Sequence, residues 1–556
     1  MSNILQIYQT VGQLMQSFRK GEIAVPEIQR DVVWDGDQVK ELIDSIIREY
    51  PCGSLILWQP RMRDEKLLKE IIRPEWLDFF ADHVPKYFLI DGQQRITALA
   101  SVILERGFLK RVEPELEEEL PSLFVDLKMF PKRMQTTSDG SQYHFPWVLM
   151  NSLFDGSTER MPDFDARLQA GAREKIKQTI QQIRDYQFPI QIITDRKYPE
   201  VGEIFSRVNS QGTPLTGAEI HIAAIIPHWR GAAKNFRDYR KTLRRQDYDL
   251  DLTFLMRALA VIQCNTSKIK KLADRIADQK IGKSQLNRLW VATQKGTDKV
   301  ISLLRKDLLL DKNKFFTSKN ALVPMVYYVA KTGSTAGGRK KLTKFFIMSQ
   351  LGGHYSSASE TVLNRDIKYL SEPGIKMREG FDSLLSVVVS EAKQEYRGLK
   401  IKPDAIRGSP SKNVLILLMY MAMRRKGAKD FGSGEVRSLN DIASEETQLH
   451  HIFPFDFMMK DEAALKYRED NILSISEFRE QVNDVANLTF LSKTSNVSIG
   501  AKSPWQYLED TTKDVRKAHF IPDDPSLWKP ENYQKFLDER RRLLSKAINS
   551  LLHSLG

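Results

Sequence analysis

At 556 residues the chain is too long for one hydrophobic core, so about two to four domains are expected. Hydrophobic residues at 41% and charged residues at 28% argue against a disordered chain or a fibrous repeat. The net charge of +13 favours a polyanionic partner, most commonly nucleic acid, over a basic protein that has none.

The N-terminus, Met1-Ser2-Asn3-Ile4-Leu5-Gln6, has no charged start followed by an apolar stretch, so no signal peptide is expected. Cys52 and Cys264 lie far apart and in no metal-binding spacing, which argues against a disulfide framework and fits a reducing cytoplasm. Pro26-Glu27-Ile28-Gln29-Arg30 leads into Trp34-Asp35-Gly36-Asp37-Gln38, where Asp35 is expected to cap a helix with Gln38 reaching back. Val39, Leu42, Ile43, Ile46 and Ile47 give that helix one buried face, and Pro51 stops it before a buried strand at Ser54–Trp58.

A second strand, Tyr87–Ile90, runs into Asp91-Gly92-Gln93-Gln94-Arg95, and Ile96, Leu99, Ala100, Ile103 and Leu104 then line a helix. A strand-to-helix turn offers free N–H groups and a helix dipole, both of which attract phosphate. Arg95 adds a bidentate donor, and Asp91 can bind a cation or a water. The plainer reading is an Asp-Gly turn with a surface ion pair. Further on, Phe205-Ser206-Arg207-Val208-Asn209-Ser210-Gln211-Gly212-Thr213-Pro214-Leu215 reads as a polar loop closed by a capping box, Thr216 to Glu219. Arg207, Asn209 and Gly212 are residue types that line phosphate or base pockets.

These three segments together resemble the N-terminal domain of the GmrSD family of modification-dependent (type IV) restriction proteins, with Asp91 to Arg95 matching letter for letter. The resemblance implies a multidomain α+β protein whose residues 1–230 form a ParB/sulfiredoxin-like domain that binds and hydrolyses a nucleoside triphosphate. It implies that Gln29, Arg30, Asp91, Gly92, Gln93, Gln94, Arg95, Arg207 and Asn209 line the nucleotide pocket. Among them, Asp91 is the choice for activating water, with Arg95 on the phosphate.

Residues 231–440 have mostly helical periodicity, broken by Gly/Ser-rich joints such as 332–338 and 352–357. Basic clusters recur at Lys268, Lys270 and Lys271, at Arg339 to Lys344, and at Arg424 to Lys429. Each alone reads as a solvated helix face; together they could track a duplex. The longest apolar run, Val414 to Met423, is about half of what a bilayer requires and reads as a buried helix, so no membrane partner is expected.

Two of the nine histidines stand in tandem in Leu449-His450-His451-Ile452-Phe453-Pro454. One imidazole can take a proton from water while a neighbouring side chain holds a cation against a phosphate. Leu449–Pro454 suits the first strand of a hairpin and Val485–Leu491 the second, with a helix starting near Asn496. This segment, within residues 441–556, resembles the ββα-metal HNH endonuclease domain that closes GmrSD-type proteins. The resemblance makes His451 the general base, His450 and Asn496 the metal ligands, and Asn487 the bridge across the hairpin that orients His451. Lys493 and Lys502 become candidates for phosphate contacts.

Two histidines that only cap and pack a strand are the plainer alternative. A histidine in place of a carboxylate ligand softens the site. Manganese, nickel and zinc then stand beside magnesium as candidates. The last helix carries Tyr533, Leu537, Leu544, Ile548 and Leu551 on one face, with Arg540 to Arg542 as a basic flank.

The expected protein is a nucleotide-dependent DNA endonuclease of bacterial phage defence. It would act in the cytoplasm on double-stranded, modified phage DNA, with a homo-oligomer admitted. The alternative is a nucleotide-gated DNA-binding regulator whose HNH site is vestigial; a helical scaffold is a third.

Overall fold

A computed structural model describes residues 4–27, 34–60, 71–72, 79, 84–104, 122–137, 146–154, 170–196, 198–209, 218, 221–222, 225–356, 359–408, 414–432, 437–442 and 446–555. The architecture is mixed α+β and mostly helical, with small sheets. The chain divides into two units, residues 1–235 with 276–280, and residues 236–275 with 281–556. The second unit holds both the helical stretch and the C-terminal hairpin.

In the first unit the described strands are β1 (Ile4–Thr10), β2 (Ile23–Ala24), β3 (Leu55–Trp58), β4 (Tyr87–Asp91), β5 (Ser122–Asp126), β6 (Met134–Thr137), β7 (Trp147–Leu149) and β8 (Gln187–Ile193). Five of them form a mixed sheet in the order β1-β8-β3-β4-β2, and β6-β5-β7 form a small antiparallel sheet. Central strands β3 and β4 are apolar and buried, as strands covered on both faces must be.

Helix Gly36–Ile47 starts where Asp35 caps it, with the Asp35–Gln38 capping box formed. It buries Val39, Leu42, Ile43 and Ile46. It stops earlier than Pro51 requires: the chain turns out of the helix at Arg48, and Glu49 takes a left-handed φ of 58°. Helix Gln93–Ile103 follows β4 directly. Gln29, Arg30 and the capping box at Thr216 lie outside the described residues.

In the second unit, helices Lys283–Leu308, Leu322–Thr332, Arg339–Leu351 and Met377–Glu395 pack on one another, and Val414–Arg425 packs on the last helix, Tyr533–His553. Every residue from Val414 to Met423 is buried, as the apolar run requires. Many members of the basic clusters are spent on ion pairs: Lys270 with Asp274, Arg339 with Asp307, Lys341 with Asp382 and Arg424 with Asp311.

Strands β9 (Thr447–His451) and β10 (Leu488–Ser492) form an antiparallel pair, followed at once by helix Lys493–Ile499. The helical stretch grips this hairpin. Phe490 of β10 packs edge-on against Phe315 and Tyr420, and the buried Lys312 donates to the Ile442 carbonyl and the Thr447 hydroxyl. Lys314 donates to the Thr447 carbonyl at 2.7 Å. Helix Tyr533–His553 buries Tyr533, Leu537, Leu544, Ile548 and Leu551.

Its arginines do not form the expected basic flank. Arg540 is fully buried and donates to the Ala486 and His519 carbonyls, while Arg541 pairs with the buried Asp484. Only Arg542 of the three faces outward, paired with Glu539. The helix periodicity identified the apolar face but not that the face extends over two guanidinium groups, each needing backbone acceptors in the core.

Candidate active site

In the first unit, the turn at Asp91–Arg95 is built around one guanidinium. Gly92 has φ of 95°, a conformation that favours glycine, and a Cβ there would run into the Leu55 side chain. Arg95 donates to the Cys52 carbonyl at 2.7 Å and to Asp91 at 3.1 Å. Gly53, also at positive φ, lies so close that a Cβ would meet the guanidinium. Arg95 therefore ties the Cys52–Gly53 loop to the turn, with one N–H on the Cys52 carbonyl and another on Asp91.

Gln93, at the first position of the helix, is buried with its Oε1 unpartnered among the described residues, and Gln94 Oε1 accepts from the Trp34 N–H. Arg207 sits on the exposed side of helix Tyr198–Asn209, paired with Glu203 at 2.6 Å. The side chain of Asn209 is outside the described residues.

The second candidate site lies on the C-terminal hairpin. Neighbouring residues of a strand face opposite sides, so His450 and His451 have different partners. His450 is buried, and its Nδ1 lies 2.7 Å from Asn496 Oδ1. Its Nε2 is buried without a partner among the described residues. Burial, only partly offset by the Asn496 hydrogen bond, lowers the His450 pKa to about 4, so the ring is neutral at pH 7. Asn496 Nδ2 donates to Gln448 Oε1 at 2.6 Å. The structure thus brings together the two residues expected as metal ligands.

His451 ends β9 and is half-buried. Its Nε2 lies 2.9 Å from Asn483 Oδ1, and its ring is tilted against Phe455. Burial lowers its pKa, with the Asn483 hydrogen bond opposing that shift, and this favours a neutral imidazole. No hydrogen bond joins it to His450, Asn487 or Asn496. Asn487 does bridge the hairpin, but one step removed from the ring. Fully buried, it accepts from the Phe453 N–H at 2.9 Å and donates to the Phe453 and Val482 carbonyls at 3.0 and 2.9 Å.

It holds the turn that follows His451; the ring itself is held by Asn483, which the sequence reading missed. The only sequence signal for Asn483 is its place at the end of an amphipathic helix, Ile475–Val482. Lys493 and Lys502 are both exposed, without ion-pair partners among the described residues. Lys502 lines a cavity of about 1010 Å³ beside Tyr507, whose ring packs edge-on against His450.

A divalent cation is implied by the HNH resemblance. Among the described residues no group of three or more His, Cys, Asp or Glu converges as a ready-made site. His450 and Asn496 meet instead as a hydrogen-bonded pair through Nδ1 and Oδ1, and the ring's other nitrogen, Nε2, is buried on the far side without a partner among the described residues. As arranged, the pair does not offer two lone pairs to one cation, so the residues present do not fit the implied metal unless their mutual hydrogen bond is given up.

Residues 11–226 match the family model described as GmrSD restriction endonuclease, N-terminal domain. That span contains the Asp91–Arg95 turn and Arg207. Across nearly its whole length the chain is also similar to an uncharacterized protein of Methanocaldococcus jannaschii, 20% identical over 604 aligned residues covering 97% of this chain and 98% of that protein. The family match supports a GmrSD-type assignment for the first unit.

Proposed function

We propose that the protein is a nucleotide-dependent DNA endonuclease of a bacterial anti-phage restriction system, directed at modified DNA. The observation that carries this reading is the hairpin and helix. They present a neutral, half-buried His451 at the end of one strand, with the paired His450 and Asn496 on the strand's other side. The GmrSD match over residues 11–226 supports the restriction role and DNA as substrate.

In this reading His451 accepts the proton of the attacking water, and Asn487 keeps the following turn in place. His450 and Asn496 would hold a cation once their mutual hydrogen bond is given up, and that cation would supply Lewis-acid stabilisation of charge on the phosphate. Lys493 and Lys502 take neighbouring phosphates. The first unit is proposed as a ParB-like domain that binds and hydrolyses a nucleoside triphosphate at the Asp91–Arg95 turn. Nucleotide state then biases which arrangement of the chain is populated, which restrains the cutter.

The absence of carboxylate from the donor pair favours one competing reading, a nucleotide-gated DNA-binding regulator with a vestigial nuclease site. Metal-dependent nicking of plasmid DNA, assayed with and without nucleoside triphosphate, separates the two. Nicking that requires both supports the endonuclease; DNA binding without nicking under any metal supports the regulator.

A further inference from the structure

The hydrogen bonds around Asn483 determine which nitrogen of His451 carries a proton. Asn483 follows helix Ile475–Val482, and both its backbone N–H and its Nδ2 donate to the Arg479 carbonyl, at 3.0 and 2.9 Å. A carbonyl only accepts, so the amide is fixed with Nδ2 toward Arg479 and Oδ1 outward; the flipped amide would set oxygen against oxygen. Oδ1 in turn can only accept, and it lies 2.9 Å from His451 Nε2. The neutral ring must therefore bear its proton on Nε2. Nδ1 keeps the lone pair and has no protein hydrogen-bond partner among the described residues.

We propose that Asn483 is the positioning residue for His451, holding the ring in the Nε2–H tautomer so that Nδ1 is the atom that deprotonates water. This rests on the nuclease reading and names a residue that reading lacked. In the step, the proton leaves water for Nδ1 and the electron pair of the broken O–H bond attacks phosphorus. The phosphorus–oxygen bond to the leaving strand then breaks, and that oxygen takes a proton from solvent. Nε2–H stays bonded to Asn483 throughout.

The test uses the full-length protein with ¹⁵N-labelled histidine, read by NMR, together with single-turnover cleavage and DNA affinity. The wild type is expected to show His451 protonated on Nε2 and bare on Nδ1. Asn483→Leu keeps the bulk and removes the acceptor. It is expected to mix the tautomers and slow cleavage about 10- to 100-fold, the scale on which an orienting partner acts, with DNA affinity unchanged. Asn483→Asp retains an acceptor for Nε2–H but sets its second oxygen against the Arg479 carbonyl, so it is expected to restore the single tautomer at a cost in stability.

A wild-type ring protonated on Nδ1 overturns the proposal without any variant having to fold. So does a leucine variant with unaltered ring signals and rate while His451→Ala is inactive. If His451→Ala itself cleaves normally, the nuclease reading falls and the role of Asn483 falls with it.

Discussion

Replacing Asn487 by alanine removes the clamp on the turn after His451. Three hydrogen bonds are lost, to the Phe453 N–H, the Phe453 carbonyl and the Val482 carbonyl. Phe453 and Val482 are themselves fully buried, so water cannot easily replace the amide. The Val482 carbonyl ends a helix and has no intrahelical partner to fall back on. At about 1–3 kcal/mol for each buried group left unsatisfied, the three sum to at least ~3 kcal/mol.

Asn487→Asp keeps the acceptor for Phe453 N–H but turns an oxygen toward two carbonyls, and it is expected to be at least as damaging. Urea unfolding followed by the emission of Trp505 and Trp528, which belong to the same core, measures the loss. Nicking should fall in parallel although His451 is intact. An alanine variant within about 1 kcal/mol of the wild type would refute the idea that this amide organises the hairpin.

The remaining predictions concern other parts of the molecule. His354 contacts Glu391 at 2.5 Å and Asp366 at 2.7 Å, with Tyr355 and Arg365 also on Asp366. Burial works against its charge, yet the two carboxylates raise its pKa above the ordinary 6.5. Its stabilisation is thus complete below the unfolded pKa and lost as pH rises through the folded one. Urea midpoints should fall on the alkaline side, and His354→Gln should flatten that limb.

Gly92→Ala places a Cβ against Leu55 at a φ of 95° and should cost about 1–3 kcal/mol, read as a lower Tm with weakened nucleotide turnover. Chelation should abolish plasmid nicking, and manganese should restore it at lower concentration than magnesium.

What could be read in the sequence was local. Asp35 and Gln38 lie three residues apart, so their capping box needs no knowledge of the rest of the fold. Val414 to Met423 is apolar on every side and can only be interior. The hairpin of His450 and His451 with the helix of Asn496 follows the spacing of strand, strand and helix, and it sets His450 within hydrogen-bond reach of Asn496.

What was hidden depends on long-range placement. Asn483 reaches His451 across 32 residues of intervening helices, and nothing in its neighbours marks it out. The Cys52 carbonyl that Arg95 holds is 43 residues away and carries no side-chain signature. Arg540 looked exposed because sequence charge does not reveal buried backbone acceptors.

The most direct measurement is metal-dependent nicking of modified plasmid DNA by His451→Ala alongside the wild type, with nucleotide turnover followed in the same samples. The account predicts that the variant loses nicking while its turnover and DNA affinity are unchanged. Wild-type nicking by the variant would contradict the assignment of His451 as the base and, with it, the nuclease site.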